Sequence, residues 1–380
     1  MFAAQQASGT ARSRAALARL RAVFALSFAL VGCLVANASA AGPGGWDHLG
    51  DGGTPGTASL NGAVDAFDVV APDTLYAGGN FTSAAGNNAA AYIARWDGTT
   101  WSDIGAPPLN GAVHAITHYG GKLFVGGNFT DAGGNANADF LAVWDGASWQ
   151  PFCNAIGPAL NGSVDALHVI GSTLYVGGSF QNGASIASAD YLLACDLTTG
   201  ASSSTVASDG GINGRVLALT SDSGGRLYAG GQLTDVAGIA AADHVASYDG
   251  TWHAMGDGPG PGGGAVDSFV RSLASDGSDV YVGTDSLDVA GIPRADHVAR
   301  WDGSAWSAVG ANAAGTDGWL PASAVISALA ASGSKLDVAG SFQDADGHAT
   351  ADNVAEFDGT TWKPLGSDGA GNGPFTGNGV

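Results

Sequence analysis

The chain has 380 residues, of which 62 are glycine, about twice the usual share. Its formal net charge is −21, charged residues make up only 12%, and Glu356 is its single glutamate. This balance offers no basic surface to neutralise phosphates, which argues against a nucleic-acid partner, and the shortage of Glu and Lys argues against long amphipathic helices. With 45% apolar residues and ten Trp, a core is still available. The expected class is all-β, with Gly and Asp serving turns.

Residues 1–21 carry Arg12, Arg14, Arg19 and Arg21 and no acid; an apolar run from Ala22 to Ala36 and the small residues Asn37 to Ala41 follow. That order is the order of a secretory signal peptide, with cleavage expected after Ala40. The alternative is a lipobox, Leu30-Val31-Gly32-Cys33, which would anchor an exported chain through a lipidated Cys33. The run is shorter than the ~20 apolar residues of a membrane span, and no other segment approaches that length. Removing residues 1–40 takes away four Arg and no acid, which leaves a net charge of −25. Two cysteines then remain, Cys153 and Cys195. In an exported chain they either pair or stay as buried thiols, and spacing alone does not decide between these.

One unit then recurs six times. Its clearest mark is an apolar strand ending in a Gly pair: Leu75-Tyr-Ala-Gly-Gly79, Leu123-Phe-Val-Gly-Gly127, Leu174-Tyr-Val-Gly-Gly178 and Leu227-Tyr-Ala-Gly-Gly231, with degenerate copies Val280-Tyr-Val-Gly-Thr284 and Leu336-Asp-Val-Ala-Gly340. The spacings are 48, 51, 53, 53 and 56 residues. A short apolar strand precedes each copy, beginning at Val64, Val113, Val164, Val216, Val270 and Val325. A third strand follows, ending in an aromatic and Asp-Gly, as in Ile93-Ala-Arg-Trp-Asp-Gly98. A fourth opens with Trp101, Trp149, Trp252, Trp306 or Trp362. The third repeat lacks both aromatics, reading Leu193-Ala-Cys-Asp196 and then Ser202-Ser-Ser-Thr-Val206. Period-two alternation and Asp-Gly turns predict strands and hairpins throughout, with the two aromatics paired across the hairpin. Four short strands every ~50 residues are one blade of a propeller. The expected fold is therefore a six-bladed β-propeller of four-stranded antiparallel blades over residues 41–366, after a signal peptide at 1–40 and before a Gly-rich tail at 367–380. Trp46-Asp-His-Leu-Gly50 is a seventh copy of the Trp strand, which predicts ring closure by N- and C-terminal strands within one blade.

The Gly pair followed by an aromatic-Asp turn and a Trp resembles the kelch repeat. Gly78-Gly-Asn-Phe-Thr82 with Ala94-Arg-Trp-Asp-Gly-Thr-Thr-Trp101, and Gly126-Gly-Asn-Phe-Thr130, are similar to the repeats of fungal cortical polarity-marker proteins and of bacterial exported propellers. The resemblance spans about residues 46–366 and implies fold and export rather than an activity. The third and fifth repeats depart most from the pattern.

Motifs for metalloprotease, serine-hydrolase, P-loop and Cys-based zinc chemistry are missing from the sequence. An Asp opens the third strand in five repeats (Asp139, Asp190, Asp243, Asp296, Asp352), with Ala91 in the first. These five either form a ring of oxygen ligands for a cation such as Ca²⁺ or cap their own loops through backbone N–H groups, and the loop role is the expected one. His244 and His297 share the context Ala-Asp-His-Val-Ala, and they either converge on a metal or occupy a tolerant position. Asp344-Ala-Asp-Gly347 has an incomplete Ca²⁺-loop pattern. Asn80 and Asn128 head glycosylation sequons if the source is eukaryotic. Gly256–Ala265 and Gly310–Ser323 are the longest connections, and Trp319 there either stacks on a ligand or plugs the ring. The expectation is an exported, non-catalytic, monomeric module that binds protein or glycan and requires no cofactor. The alternatives are a carbohydrate hydrolase or lyase using loop-face aspartates, and a Ca²⁺-stabilised adhesin.

Overall fold

Each apolar run that precedes a Gly pair opens a four-stranded antiparallel sheet of consecutive strands. The computed structural model describes residues 59–365, apart from 72–73, 154–159, 187, 204–205, 207–210, 259–260, 311–317 and 349–350. Blade 1 is β1–β4 (Val64–Ala71, Thr74–Gly79, Ile93–Trp96, Trp101–Ser102) and blade 2 is β5–β8 (Val113–Tyr119, Lys122–Gly127, Leu141–Trp144, Trp149–Pro151). Blade 3 is β9–β12 (Val164–Ile170, Thr173–Gly178, Leu192–Asp196, Ser202–Ser203) and blade 4 is β13–β16 (Val216–Ser221, Leu227–Gly231, Val245–Tyr248, Trp252–Ala254). Blade 5 is β17–β20 (Val270–Ser275, Val280–Thr284, Val298–Trp301, Trp306–Ala308) and blade 6 is β21–β24 (Val325–Ser332, Lys335–Ser341, Val354–Phe357, Trp362–Pro364). The first strands β1, β5, β9, β13, β17 and β21 pack side by side in that order. Phe67 of β1 packs against the core of blade 6 and closes the ring.

The Gly pair has two separate physical reasons. A Cβ on the first glycine would strike the next blade: Gly126 would meet Val164 Cγ1 at 2.3 Å, Gly177 would meet Val216 Cγ1 at 2.5 Å, and Gly230 would meet Val270 Cγ1 at 2.4 Å. A Cβ on the second glycine would strike its own blade, where a bulge at the start of the first strand turns a carbonyl inward. Gly127 would meet Ala112 O at 2.0 Å and Gly178 would meet Ser163 O at 2.0 Å. In blade 5 the second position is Thr284, whose hydroxyl donates to Phe269 O at 2.9 Å. The adjoining Asp285 N to Phe269 O bond lengthens to 3.2 Å, against 2.8 Å for Asn128 N to Ala112 O.

Between blades the core is an aromatic clamp. The expected cross-strand pairs form, with ring centroids 5.5 Å apart for Trp96–Trp101, 5.4 Å for Trp144–Trp149, 5.1 Å for Tyr248–Trp252, 5.3 Å for Trp301–Trp306 and 5.1 Å for Phe357–Trp362. The fourth-strand Trp also holds the incoming linker. Trp252 Nε1 donates to Val206 O at 2.9 Å, Trp362 Nε1 donates to Val309 O at 3.1 Å, and Trp306 Nε1 donates to Met255 O. Blade 3 has no such pair. Cys195 pairs across the hairpin with Ser202, as Trp96 pairs with Trp101 in blade 1. There the incoming linker residue Cys153 is joined to Cys195 by a disulfide, with Cα atoms 5.5 Å apart. A covalent bond therefore stands where the other blades use two aromatic rings, joined in blades 4, 5 and 6 by a hydrogen bond to the linker. This settles the cysteine question left open by spacing.

The terminal strand on which the expected ring closure depends, at Trp46, lies outside the described residues. All six sheets are built from consecutive strands, and β24 is the outer strand of blade 6, so no described sheet mixes the two termini. The signal segment 1–40 with its Cys33 alternative and the tail 367–380 also lie outside them. Among the described residues no helix is long and apolar enough to cross a membrane.

Candidate functional site on the loop face

Antiparallel topology puts the second-to-third loops and the interblade linkers on one face of the ring, and the Asp-Gly hairpins on the other. The recurrent Asp on the loop face acts inside its own loop. Asp139 Oδ1 accepts from Asp131 N at 2.7 Å, Asp190 Oδ1 from Asn182 N at 2.6 Å, Asp243 Oδ1 from Asp235 N at 2.7 Å, Asp296 Oδ1 from Asp288 N at 3.0 Å, and Asp352 Oδ1 from Asp344 N at 2.8 Å. Each donor is a residue at positive φ, the strained start of a 3-10 turn, so the carboxylate fixes a backbone that most residues avoid. In the first repeat, where Ala91 stands, Asn87 Oδ1 accepts from Ala89 N at 2.9 Å instead. Among the described residues no group of three or more His, Cys, Asp or Glu is placed to hold a metal ion. Asp344 and Asp346 flank Ala345 at the 3-10 turn Ala345–Gly347, where Asp346 Oδ1 is buried with no partner.

His244 and His297 are set by backbone geometry. With Tyr92, Phe140, Tyr191 and Asn353 they form a column at φ between 59° and 65°. Each carbonyl in this column accepts from the second residue of the Gly pair or its equivalent, at 2.9 Å for His244 from Gly231, for His297 from Thr284 and for Asn353 from Gly340. His297 is 2% exposed, and its Nδ1 lies 3.3 Å from Thr284 O. His244 is 8% exposed, its ring stands edge-on to Phe269 at 5.9 Å, and its Nδ1 has no partner. Burial holds the His244 imidazole below its ordinary pKa, so it is neutral at pH 7. Trp319 is a plug. It is 3% exposed and stacked on Trp362 with centroids 3.3 Å apart, so it offers no ring to a ligand.

A second structural column recurs in the linkers. It is the Asn of Leu60-Asn-Gly62, Leu109-Asn-Gly111, Leu160-Asn-Gly162 and Ile212-Asn-Gly214. Asn61 Oδ1 accepts from Thr82 N at 2.8 Å, Asn110 Oδ1 from Thr130 N at 2.8 Å, Asn161 Oδ1 from Gln181 N at 2.8 Å, and Asn213 Oδ1 from Thr234 N at 3.0 Å. These bonds tie each linker to the loop beside it. Its mark in the sequence is an apolar residue followed by Asn-Gly. In blade 5 Ser286 Oγ takes over, accepting from Asp267 N at 3.1 Å and Ser268 N at 2.9 Å.

The first strands begin at the inner mouth of this face, where Arg215, the residue before β13, donates to both oxygens of Asp165, the second residue of β9, at 2.7 and 2.8 Å. His114 Nδ1 lies 3.0 Å from Asp65 across blades 1 and 2. Arg271 donates to both oxygens of Asp285 within blade 5, at 2.8 and 2.7 Å. Beside Arg271, Phe269 is 39% exposed.

On the opposite face the Asp-Gly hairpins behave as their sequence predicts. Asp97 Oδ1 accepts from Thr99 N at 2.9 Å and Thr100 N at 2.8 Å, and these bonds with the threonine hydroxyls hold its pKa down to about 2. The raised carboxyls lie on strands, away from the loop-face column. Burial raises Asp68, which is partnered by His118 at 2.7 Å. Burial and the neighbouring Glu356 push Asp337 up to about 7, and its Oδ1 is buried without a partner. Asp337 occupies the position held by Tyr76, Phe124, Tyr175, Tyr228 and Tyr281 in the other blades. Its folded pKa is above the unfolded value, so between pH ~4 and 7 the folded state binds the extra proton and stability falls as pH rises. Asp337→Asn is expected to raise the melting temperature at pH 8, by about 2 kcal/mol of stability, and to change little at pH 4. Equal shifts in melts at the two pH values would contradict this origin.

No protein-family model matches the chain, and no curated protein matches it. Among solved structures it is similar to the computationally designed Ika8 protein, at 15% identity and a TM-score of 0.47, covering 90% of this chain and 89% of that one. It is also similar to the extracellular domain of a one-component system protein of B. thetaiotaomicron, at 13% identity and a TM-score of 0.49, covering 80% of this chain and 33% of the other. YCF48 from Cyanidioschyzon merolae matches at 10% identity and a TM-score of 0.43, over 78% of this chain and 83% of that one. The six-bladed propeller itself rests on the strand topology of this chain: six antiparallel sheets of four consecutive strands, set in a ring.

Proposed function

We propose that this chain is an exported, non-catalytic interaction module whose loop face binds a protein or glycan. The basic, apolar and small-residue order of residues 1–40 supports export, as does a disulfide in the folded ring. The kelch-like and polarity-marker-like repeats support the same reading. The observation that carries it is Phe269, an aromatic side chain 39% exposed beside the inner mouth. The loop-face aspartates, on which a hydrolase or lyase would depend, spend an oxygen on local backbone N–H groups. That favours binding over catalysis.

The test is to probe purified mature protein against a glycan array and against immobilised envelope proteins, with Phe269→Ala in parallel. Specific binding weakened by the substitution is the expected result. Turnover of a polysaccharide or ester by the same preparation would overturn the reading.

A further inference from the structure

Blade 5 carries large apolar side chains at rim positions where its sister blades carry smaller or polar ones. Phe269 stands where the others have Ala63, Ala112, Ser163, Arg215 and Val325. Leu287 stands where they have Thr82, Thr130, Gln181, Thr234 and Gln343. Phe269 and Leu287 are 39% and 44% exposed. The third exposed large apolar side chain among the described residues, Val70, is at the far end of β1. The exchange has a structural cause. The buried Phe of the second-to-third loop, Phe129 in blade 2, is Ser286 in blade 5, which bonds to the linker instead. The two segments lie against each other, with Asp285 N donating to Phe269 O at 3.2 Å.

Three features frame this pair. His244, 8% exposed, lays its ring edge on Phe269 and keeps an unpartnered Nδ1. Asp267 and Asp288 are exposed beside Phe269 and Leu287. In segments 266–271 and 285–297 Asp296 is buried and Arg271 pairs with Asp285, which leaves Asp267 and Asp288 against Arg294 at the surface. The local surface is therefore apolar with an acidic margin, on a chain whose overall charge is −21.

We infer that the blade 5 rim is a docking surface for an extended polypeptide segment bearing alternating basic and apolar side chains. This rests on the reading of the chain as an interaction module and names the kind of partner. The apolar side chains of the segment would cover Phe269 and Leu287, and its basic ones would face Asp267 and Asp288. The acidic field of the whole chain would speed encounter in a salt-dependent way.

The experiment compares the wild-type protein with the double variant Phe269→Ala, Leu287→Thr, which installs residues already present on sister blades. The probes are fluorescein-labelled dodecapeptides of alternating Lys and Leu, of alternating Glu and Leu, and of Lys alone, followed by anisotropy. The Lys/Leu peptide is expected to bind the wild type, to lose about tenfold or more in affinity for the double variant, and to weaken between 50 mM and 500 mM salt. An unchanged thermal melt shows that the variant has kept its fold. Equal binding of the Lys/Leu peptide to both proteins, or tighter binding of the Glu/Leu peptide, overturns the assignment. If the double variant still captures the glycan or envelope partner as the wild type does, this surface is wrong and the interaction module stands. If the wild type captures nothing, the module reading itself fails.

Discussion

Reducing the Cys153–Cys195 bond is expected to lower the melting temperature by about 3–6 °C. The bond closes 42 residues, and a crosslink over a loop of that size is worth about 2–4 kcal/mol through the entropy it removes from the unfolded chain. Blade 3 also has nothing to fall back on. In blades 1, 2, 4, 5 and 6 the ring pair buries apolar area, and in blades 4, 5 and 6 its indole holds the linker carbonyl. Around Cys195 the outer strand is only Ser202–Ser203. Thermal melts of the mature protein with and without reductant measure the effect. The triple variant Cys153→Ile, Cys195→Trp, Ser202→Trp should recover part of the loss and ignore reductant, because Cys195 and Ser202 pair in the register of Trp96 and Trp101. A reductant-induced shift below 1–2 °C would mean that the linker packing already suffices.

Gly127→Ala is expected to be among the most damaging single-methyl changes in the ring. The new Cβ would lie 2.0 Å from Ala112 O. The obstacle is a backbone atom fixed by the first-strand bulge, so no side chain can rotate away. Overpacking of this kind costs about 3 kcal/mol or more. Gly126→Ala should cost less, since Val164 Cγ1 at 2.3 Å belongs to a side chain that can shift with its blade. Blade 6 shows such accommodation, because Ala339 stands in the first position of its pair. The control is Gly146→Ala at an Asp-Gly turn, where φ is 97° but nothing lies within 4 Å. Its cost is local strain of about 1–2 kcal/mol. Chemical denaturation of the three variants gives the order directly. Equal destabilisation of Gly127→Ala and Gly146→Ala would remove the close-approach explanation.

The parts of the fold legible in the sequence were those carried by local rules repeated six times. Asp97 and Gly98 specify a hairpin through bonds two and three residues away, so the turn follows from the residues alone. The pairing of Trp96 with Trp101 follows from hairpin length and period two. The Asp at the start of the third strand has a local partner, a backbone N–H eight residues back in the same loop. Departures at Cys195, Thr284 and Asp337 were visible as breaks in pattern, but their meaning was not. Each depends on what a neighbouring segment places opposite it.

The amino-acid sequence by itself determined the number of blades, the strand order within each and the turn chemistry, because these arise from contacts within about twenty residues. Only the tertiary structure decided that Cys153 meets Cys195, that Trp319 is buried against Trp362 and that Phe269 and Leu287 stay exposed. It also placed the outer strand of blade 6 at β24. These outcomes depend on contacts between segments far apart in the chain, and on which of two apolar residues the packed interior admits. The same sequence pattern that makes the blades alike hides the one whose surface differs.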